Sequence, residues 1–238
     1  MKLLVLNHKA NCSYNDLEKY IEKIKKIKKD GVKLILCPSN IYLLKFINNN
    51  LCVGAQDVSI YSNGSYTGEI TALQLKSLGV DYCIIGHSER RQYFNESDAD
   101  INKKLKQLLA NDITPILCVG ESFKDKEYGI ADDTIIRQLA EATKNIEKDN
   151  LNKIIVSYEP VWAIGSDVIP STNYIDTKIK VIQDYFKEKG IDFINILYGG
   201  SVNDVNIEVL RNIDDLSGYL IGGAGLDPNK MSNLTNKL

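Results

Sequence analysis

The sequence is poor in the features that define disulfide frameworks, zinc sites and membrane spans. Its five cysteines are an odd number, are widely spaced and include no C-x-x-C pair, which favours neither a disulfide framework nor a zinc site. No apolar run approaches the roughly 18 residues that a membrane span requires. The first residues lack the long apolar segment and the cleavage site of a signal peptide. We therefore expect a cytoplasmic protein in a reducing compartment, with no membrane partner.

An excess of charge of either sign is also missing. Lysine and arginine total 29, and aspartate and glutamate total 31, which leaves a net charge of −2. Without a basic field we expect no nucleic-acid partner, and any anionic ligand must be held by local groups. The lysine-rich stretch 23–29 is no exception. Ile21, Ile24 and Ile27 recur there at helical spacing, so the lysines occupy the opposite, solvated face of a helix.

What the sequence does contain is a repeating alternation of short apolar runs and amphipathic stretches. The runs that predict strands are residues 3–6, 33–36, 52–54, 82–85, 115–119, 153–157, 193–197 and 218–221. The stretches that predict helices are residues 15–29, 41–48, 71–78, 99–110, 132–147, 173–189, 205–212 and 228–237. Ser13 and Ser97 are candidate helix N-caps, and Gly31, Gly79 and Gly190 are candidate left-handed C-terminal caps.

Strands that alternate with helices predict a parallel sheet, either open and doubly wound or closed into a barrel. Eight units of about 30 residues favour closure, and no G-x-G-x-x-G follows the first strand, as a dinucleotide-binding fold would require. No linker or change of composition divides the chain. The prediction is an α/β protein, a single-domain (β/α)8 barrel over residues 1–238.

In such a barrel the catalytic groups lie where the strands end, because the loops there converge on one mouth. The residues that leave the predicted strands are Asn7 and Lys9, His87 and Glu89, Glu159, and two glycine-rich turns at residues 198–201 and 222–225. Taken singly, each has an ordinary structural interpretation: a solvated carboxylate, a core histidine, a surface ion pair or a tight turn. Their joint occurrence favours a catalytic site in which glycine N–H groups bind phosphate.

Six stretches resemble the triosephosphate isomerase family, in order along the whole chain. They are residues 7–11 (Asn-His-Lys-Ala-Asn), 86–91 (Gly-His-Ser-Glu-Arg-Arg), 116–121 (Ile-Leu-Cys-Val-Gly-Glu), 158–165 (Tyr-Glu-Pro-Val-Trp-Ala-Ile-Gly), 198–202 (Tyr-Gly-Gly-Ser-Val) and 221–224 (Ile-Gly-Gly-Ala). The stretches around His87 and Glu159 are the most specific, whereas the glycine-rich stretches alone would be weak.

This resemblance implies a TIM barrel that interconverts dihydroxyacetone phosphate and glyceraldehyde 3-phosphate through an enediolate, with no metal or organic cofactor. Glu159 would move the proton, and His87 would polarise the carbonyl as a neutral imidazole, a well-studied pairing in this family. A helix N-terminus would favour the neutral ring, either at residues 97–98 or just after His87. Lys9 and Asn7 would stabilise the developing negative charge, and Glu89 would orient Lys9.

The resemblance also assigns binding residues. Those implied to hold the substrate are Asn7, Lys9, Gly165, Ser201, Gly222 and Gly223. Residues 160–171, with Trp162 near their start, match the lid that closes over the substrate, although by composition alone Trp162 is a plain core aromatic. Residues 57–70 match a loop that inserts into a second subunit of a homodimer; as a long loop it also has the simpler interpretation of a flexible segment.

The interface residues implied for the homodimer are Asn11, Gln56, Thr67, Glu69 and Arg90. Thr67 would approach the partner subunit's Asn7 and His87, and Glu69 would pair with the partner subunit's Arg90. A monomer in solution would contradict this assignment.

Three departures from the family pattern stand out. His8 stands where the family usually has Trp, and we expect it to pack near the mouth rather than to act in catalysis. Ala10 replaces a usual Met. Asp167 replaces a glycine of the lid, which predicts intact chemistry with altered lid kinetics, to be tested with an Asp167→Gly variant.

Two other functions remain open from the sequence. An aldolase would need a Schiff-base lysine, for which Lys9 is the candidate. A catalytically silent, phosphate-binding barrel that serves as a scaffold would tolerate the unusual lid.

Overall fold

Parallel strand pairing builds the core of the protein. In the computed structural model, which describes residues 1–165 and 168–238, eight strands are present: β1 (Lys2–Asn7), β2 (Val32–Cys37), β3 (Gly54–Ala55), β4 (Tyr82–Ile85), β5 (Thr114–Val119), β6 (Ile155–Tyr158), β7 (Asn195–Tyr198) and β8 (Gly218–Ile221). They pair in the order β2-β1-β8-β7-β6-β5-β4-β3. A parallel bridge between Leu36 and Val53 joins the two ends of the sheet. The predicted single-domain TIM barrel is confirmed.

Helices cover the outside of this barrel. Within the described ranges they are α1 (Tyr14–Ile24), α2 (Leu43–Ile47), α3 (Ala72–Ser77), α4 (Ser88–Tyr93), α5 (Asp98–Ala110), α6 (Phe123–Glu127), α7 (Ala131–Ala142), α8 (Lys148–Leu151), α9 (Thr172–Glu188), α10 (Ile207–Leu210) and α11 (Pro228–Asn236). Short 3-10 helices occupy Asn40–Tyr42, Val161–Ala163 and Gly223–Leu226.

Successive strand residues face the barrel interior and the helix layer alternately. Val5 pairs with Ile35 and with Leu220, and all three belong to the cluster that fills the interior. The neighbouring Leu4 and Leu6 pack instead in the larger cluster that includes the helices. Both faces of each strand are therefore buried, which explains why the strand runs are apolar at consecutive positions.

Several predicted helix caps have the expected geometry. The Ser97 hydroxyl accepts a 3.1 Å hydrogen bond from the Asp100 N–H at the start of α5. Ser13 is the N-cap of α1, where its own N–H donates to the Asp16 carboxylate. Gly79 and Gly190 follow α3 and α9 with φ of +89° and +76°, so they adopt the left-handed conformation that ends a helix.

The first helix is shorter than the pattern predicts. Residues 15–29 were expected to be helical, but α1 ends at Ile24, the last residue of its buried face. Lys29 then extends to α11, where its ammonium group donates to the carbonyl groups of Thr235 and Asn236. Gly31, at φ +80°, accordingly turns the chain into β2 and does not cap α1.

Other element boundaries also differ from the prediction. The helix predicted over residues 132–147 ends at Ala142, and it does not continue because Asn145 has a φ of +57° that an α-helix cannot contain. Strands β3, β6 and β7 start about two residues later than predicted. At β6 the cause is a turn in which the N–H groups of Lys153 and Ile154 donate to residues 150 and 151. At α10 the Asn203 side chain accepts from the N–H groups of residues 205 and 206, which delays the helix predicted over 205–212.

Candidate active site

The carboxyl ends of the strands surround a cavity of about 320 Å³. Its lining includes seven residues that the sequence singled out, namely Asn7, Lys9, His87, Gly165, Ser201, Gly222 and Gly223. They leave β1, β4, β6, β7 and β8, so the barrel brings together groups that are more than 200 positions apart in sequence. A larger cavity of about 1,070 Å³ lies at the opposite end, and none of these residues lines it. The smaller cavity is therefore the candidate active site.

Glu159 is a buried carboxylate directly after β6, with 1% of its surface exposed. One carboxylate oxygen, Oε2, accepts a 3.3 Å hydrogen bond from the Ser88 N–H. The other, Oε1, has no hydrogen-bond partner among the described residues. Room for this side chain comes from Gly199, where a Cβ would lie 2.8 Å from Glu159 Cγ. The result is a buried carboxylate with one oxygen available to accept a proton.

His87 lies beside this carboxylate, with 3.8 Å between its Nε2 and Glu159 Oε1. Its Nδ1 accepts a 3.3 Å hydrogen bond from the Glu89 N–H, in the first turn of α4. Because Nδ1 serves as an acceptor, the proton of the neutral ring belongs on Nε2. The turn just after His87, one of the two predicted helix starts, thus contacts the ring.

Lys9 lies on the other side of the cavity, in a left-handed conformation with a φ of +52°. Its N–H donates a 3.0 Å hydrogen bond to the Asn7 side chain, and its ammonium group lies 2.5 Å from Glu89 Oε1. A Cβ on Gly222 would lie 3.9 Å from the ammonium nitrogen, which places this charge beside the turn after β8. Glu89 therefore forms an ion pair with Lys9, and its predicted role in orienting Lys9 stays a prediction.

Gln56 and Asn11, which we expected at a subunit interface, make hydrogen bonds within the chain. The Gln56 amide donates to the carbonyl groups of Lys9 and Cys37, at 2.9 and 2.8 Å. The Asn11 side chain donates a 2.9 Å hydrogen bond to the His8 carbonyl. Both residues thus support the loop that carries Lys9, and their predicted part in an interface remains a prediction.

Glu121 is a buried residue whose role the sequence analysis did not identify. Its Oε1 accepts hydrogen bonds from the Trp162 indole at 2.8 Å, from the Tyr174 hydroxyl at 3.0 Å and from the Tyr158 hydroxyl at 3.1 Å. Burial, together with the nearby Glu121 charge, raises the pKa of both tyrosines, so they remain donors. The only sequence signal was Glu121 itself, an acidic residue directly after an apolar strand.

A cysteine also lies against the Glu159 carboxylate. Cys118 is buried in the barrel interior at the end of β5. Burial and the charge of Glu159 raise the pKa of its thiol well above the usual range. Cys118 is therefore a neutral thiol in the folded protein, which fits the inert role that is usual for a buried cysteine.

Comparison with known protein families shows the family of this chain. A model of the triosephosphate isomerase family matches residues 2–238. The chain belongs to the triosephosphate isomerase family. Triosephosphate isomerase of Clostridium tetani is 35% identical over 239 residues, covering 97% of this chain and 94% of the relative. The protein of that name from Francisella tularensis subsp. mediasiatica is 36% identical, covering 100% of this chain and 98% of the relative. The protein of that name from Lactobacillus gasseri is 39% identical, covering 83% of this chain and 81% of the relative.

The predicted activity is thereby confirmed: the chain is an enzyme, a triose-phosphate isomerase of glycolysis. Among the described residues, no group of three or more His, Cys, Asp or Glu side chains is arranged to hold a metal ion. No helix in the same part of the chain is long and apolar enough to cross a membrane.

The start of residues 160–171, the predicted lid, is held by side chains of neighbouring elements. Its 3-10 helix Val161–Ala163 contains Trp162, whose ring lies under the Lys126 ammonium group at 3.5 Å and meets Tyr174 edge to face. The Ala163 carbonyl accepts a 2.8 Å hydrogen bond from the Ser201 hydroxyl. Trp162 is therefore half-buried and hydrogen-bonded rather than a core aromatic. The expectation for Asp167 lies outside the described residues.

Residues 57–70 form an ordered protrusion in this triosephosphate isomerase chain. The Ser59 N–H donates to the Ile70 carbonyl at 2.8 Å and closes the base of the loop, while Tyr61 and Tyr66 stack with ring centroids 3.9 Å apart. Residues 61–69, with Thr67 and Glu69 among them, are exposed.

Arg90, expected to face a second subunit, pairs within its own chain. Its Nε lies 2.9 Å from Asp57 and 3.4 Å from Glu96, and its guanidinium group lies over the Phe94 ring. Its predicted pairing with Glu69 of a second subunit stays a prediction.

The cavity lining contains one further cation that the sequence analysis did not select. Lys230, at the third position of α11, lines the cavity together with Gly222 and Gly223. No motif marks this lysine, because it approaches the turn after β8 only once α11 folds back beside it.

Proposed function

We propose that Glu159 is the base of the isomerase reaction and that His87 is its electrophile. The observation that carries this proposal is the 3.8 Å separation of Glu159 Oε1 from His87 Nε2, with the carboxylate buried and the ring proton assigned to Nε2. A three-carbon substrate that lies in the cavity beside both groups would have its C–H bond within reach of the base and its carbonyl oxygen within reach of the donor.

The reaction then follows from these two groups. Glu159 removes a proton from the carbon next to the carbonyl, and the electron pair of the broken C–H bond forms the enediolate. His87 donates its Nε2–H hydrogen bond to the oxygen on which negative charge develops. His87 gives its Nε2 proton to the oxygen of the former carbonyl and takes up the proton of the neighbouring hydroxyl, so the ring ends as it began. Glu159 returns its proton to the carbon of the former carbonyl, and the new carbonyl forms at the neighbouring carbon. No electrons leave or enter, so the residues of the chain suffice for the chemistry.

Lys9 and Asn7 supply the remaining polar contacts of the reacting end. An ammonium group stabilises the negative charge of the enediolate more than the neutral carbonyl group of the substrate, which lowers the barrier. The Glu89 carboxylate holds Lys9 in place at 2.5 Å. An ammonium group that is ion-paired in this way is a poor amine nucleophile, which argues against a Schiff-base aldolase.

The phosphate of the substrate binds at the turns that contain Gly165, Ser201, Gly222 and Gly223. A Cβ on Gly223 would meet nothing within 4 Å, so the backbone there is open to a ligand. Backbone N–H groups at such turns bind a dianion without a basic surface, which suits a chain of net charge −2. Residues 160–171 act as the lid that excludes water from the enediolate.

A coupled isomerase assay on the purified chain tests these roles. Glu159→Gln should lose at least about 100-fold in kcat, because the amide cannot take up a proton. Glu188→Gln, on the exposed side of α9, is the matched control and should retain full activity. An unchanged kcat in Glu159→Gln would refute Glu159 as the base.

The enzyme is a homodimer in this proposal, with residues 57–70 inserted into a second subunit next to its active site. Exposed apolar side chains also occur in the segments that follow β1, β2 and β4. They include Tyr14, Ile41, Leu44, Tyr93 and Phe94, each more than half exposed. A cluster of this kind on a single chain is typical of a surface that binds another protein.

Equilibrium sedimentation tests the homodimer. Thr67→Arg should convert the dimer to a monomer and reduce activity, whereas Thr177→Arg, at an exposed position of α9, should leave the dimer intact. A wild-type monomer would refute the proposal. The thiols, all five free, suit a reducing compartment, and we place the enzyme in the cytosol.

A further inference from the structure

His8 has no role in the proposed chemistry, yet it is among the most buried polar residues of the barrel mouth. It immediately precedes Lys9 and is 1% exposed. Its ring lies edge-on to Tyr20 of α1 and to Phe46 of α2. Burial lowers the pKa of His8 from 6.5 to about 4, so the ring is neutral at physiological pH.

The polar atoms of this buried ring define a directed chain of hydrogen bonds. The Tyr20 hydroxyl donates a 2.8 Å hydrogen bond to the Gly225 carbonyl. His8 Nε2 lies 2.9 Å from the same hydroxyl oxygen. Because the single hydroxyl proton is used on Gly225, the oxygen accepts, and the proton of the His8 ring is on Nε2. His8 Nδ1, which is then an acceptor, has no partner among the described residues.

Gly225 belongs to the turn that follows β8, next to the proposed phosphate contacts. Its N–H donates a 2.8 Å hydrogen bond to the Gly222 carbonyl, and a Cβ on Gly225 would lie 3.3 Å from Leu6 Cβ of β1. The turn is thus held by its contact with β1 and by the hydrogen bond from Tyr20. Of these two interactions, the hydrogen bond from Tyr20 can be removed by substituting a side chain.

We propose that His8 and Tyr20 are positioning residues that hold the phosphate-binding turn of β8 in register with the loop that carries Lys9. This inference rests on the proposed function of that turn. The chain of hydrogen bonds links the residue next to Lys9 with the carbonyl two residues beyond Gly223. Lys9 would contact the reacting carbons of the substrate, and Gly222 and Gly223 would contact its phosphate. The buried hydrogen bonds of His8 and Tyr20 therefore fix the distance between these two binding positions.

The arrangement predicts an effect on binding rather than on chemistry. Neither His8 nor Tyr20 lines the cavity, so neither contacts the substrate. Loss of the Tyr20 hydroxyl leaves a buried donor on His8 and a buried acceptor on Gly225 without partners. Because unpaired buried polar groups are costly, we expect the turn to shift until these groups form other hydrogen bonds. A displaced turn weakens the grip on phosphate, while Glu159 and His87 keep their places.

Steady-state kinetics on four variants test this inference. Tyr20→Phe and His8→Phe should each raise KM for triose phosphate, and the inhibition constant of inorganic phosphate, by about 3- to 10-fold, the value of one hydrogen bond, with kcat within about twofold. His8→Gln keeps an N–H donor at a similar reach and should restore most of the wild-type KM. The double variant should be no worse than the worse single variant, because both changes interrupt one chain.

A matched control separates positioning from general loss of stability. Tyr185→Phe removes another buried hydroxyl, which lies 2.6 Å from the Thr143 hydroxyl between α7 and α9. It should lower the melting temperature by a similar amount and leave both constants unchanged. If Tyr20→Phe behaved as this control does, the inference would be overturned.

Nitrogen-15 spectra of the histidine rings provide a readout that does not depend on activity. With only two histidines in the chain, the signals are readily assigned by comparison with His8→Gln. His8 should show a protonated Nε2 and an unprotonated Nδ1, and the Nε2–H signal should shift in Tyr20→Phe. A protonated Nδ1 would contradict the inference. If Glu159→Gln kept its kcat, only the proposed catalytic roles would fall, because the phosphate inhibition constant and the tautomer of His8 do not depend on which residue is the base.

Discussion

Glu121 and Trp162 are joined by a 2.8 Å hydrogen bond that ties the start of the proposed lid to a residue two positions beyond the end of β5. Two tyrosine hydroxyls share the same carboxylate, which is fully buried. A buried charge of this kind is stable only while its donors remain in place. The position of the lid therefore depends on a residue that takes no part in the chemistry.

Glu121→Gln is expected to loosen the lid and destabilise the fold. A neutral amide oxygen is a weaker acceptor than the carboxylate oxygen that now takes three hydrogen bonds, and an amide N–H2 in place of Oε2 would meet the Tyr158 hydroxyl donor, so we expect a cost of about 1–3 kcal/mol. Chemical denaturation measures the loss. Trp162 is the only tryptophan of the chain, so its emission spectrum should shift. Glu127→Gln, exposed on α6, serves as control, and an unshifted spectrum in Glu121→Gln would count against this account.

Glu89→Gln is expected to weaken catalysis with little effect on stability. Lys9 would keep its charge but lose the carboxylate that aims it, and a misplaced catalytic group costs about 10- to 100-fold in rate. The measurement is kcat/KM in both directions of the reaction. Glu22→Gln, exposed on α1, should match the wild type. Equal values of kcat/KM for Glu89→Gln and the wild type would show that Lys9 needs no orientation.

Lys230→Gln is expected to raise KM for triose phosphate by about two- to fivefold, because an exposed cation beside the cavity attracts the dianionic substrate through a well-screened field. The difference from the wild type should shrink as salt is added. Lys28 is an exposed lysine that does not line this cavity, so Lys28→Gln should show no such difference. A KM shift that persists at high salt would indicate a direct contact instead.

His8 makes the stability of the fold depend on pH. The unfolded chain takes up a proton on His8 below pH 6.5, whereas the folded chain does so only below about pH 4. The free energy of unfolding therefore falls as the pH drops through this window, by about 1.4 kcal/mol per pH unit from this residue and about 3 kcal/mol in all. Denaturation of the wild type and of His8→Gln from pH 7 to 4 measures it. Parallel pH profiles for the two proteins would exclude His8 as the source.

Lys104 is expected to be a stability residue at the base of the loop 57–70. Its ammonium group lies 2.6 Å from Asp57 and contacts Glu96, and its side chain is 7% exposed. Lys104→Met leaves the two carboxylates to share the half-buried Arg90 and should cost about 3–5 kcal/mol. Lys103→Met, one residue earlier, breaks only an exposed pair with Asp100 and should cost less than about 1 kcal/mol. Equal losses would contradict the buried-network interpretation.

The pattern of the sequence predicted the barrel because each βα unit satisfies a local rule. Strand runs buried on both faces are apolar at consecutive positions, and helices begin and end at capping residues such as Ser97 and Gly79. Asn7, Lys9, His87 and Glu159 were predicted as site residues because each lies within three residues of a predicted strand end, and parallel strands deliver their carboxyl ends to one mouth. Boundaries were less accurate. Asn145 interrupts a predicted helix, because a left-handed residue leaves no mark in hydrophobic periodicity.

The sequence by itself determined which strands form and which end of the barrel carries the chemistry, since both depend on short-range spacing. Only the tertiary structure decided the partners of Gln56, Glu121, Lys230 and His8. Gln56 supports the Lys9 carbonyl, and His8 connects through Tyr20 to Gly225, more than 200 residues away. These contacts join residues that are distant along the chain, and a hydrogen bond between them exists only after the closed sheet has brought their atoms within about 3 Å.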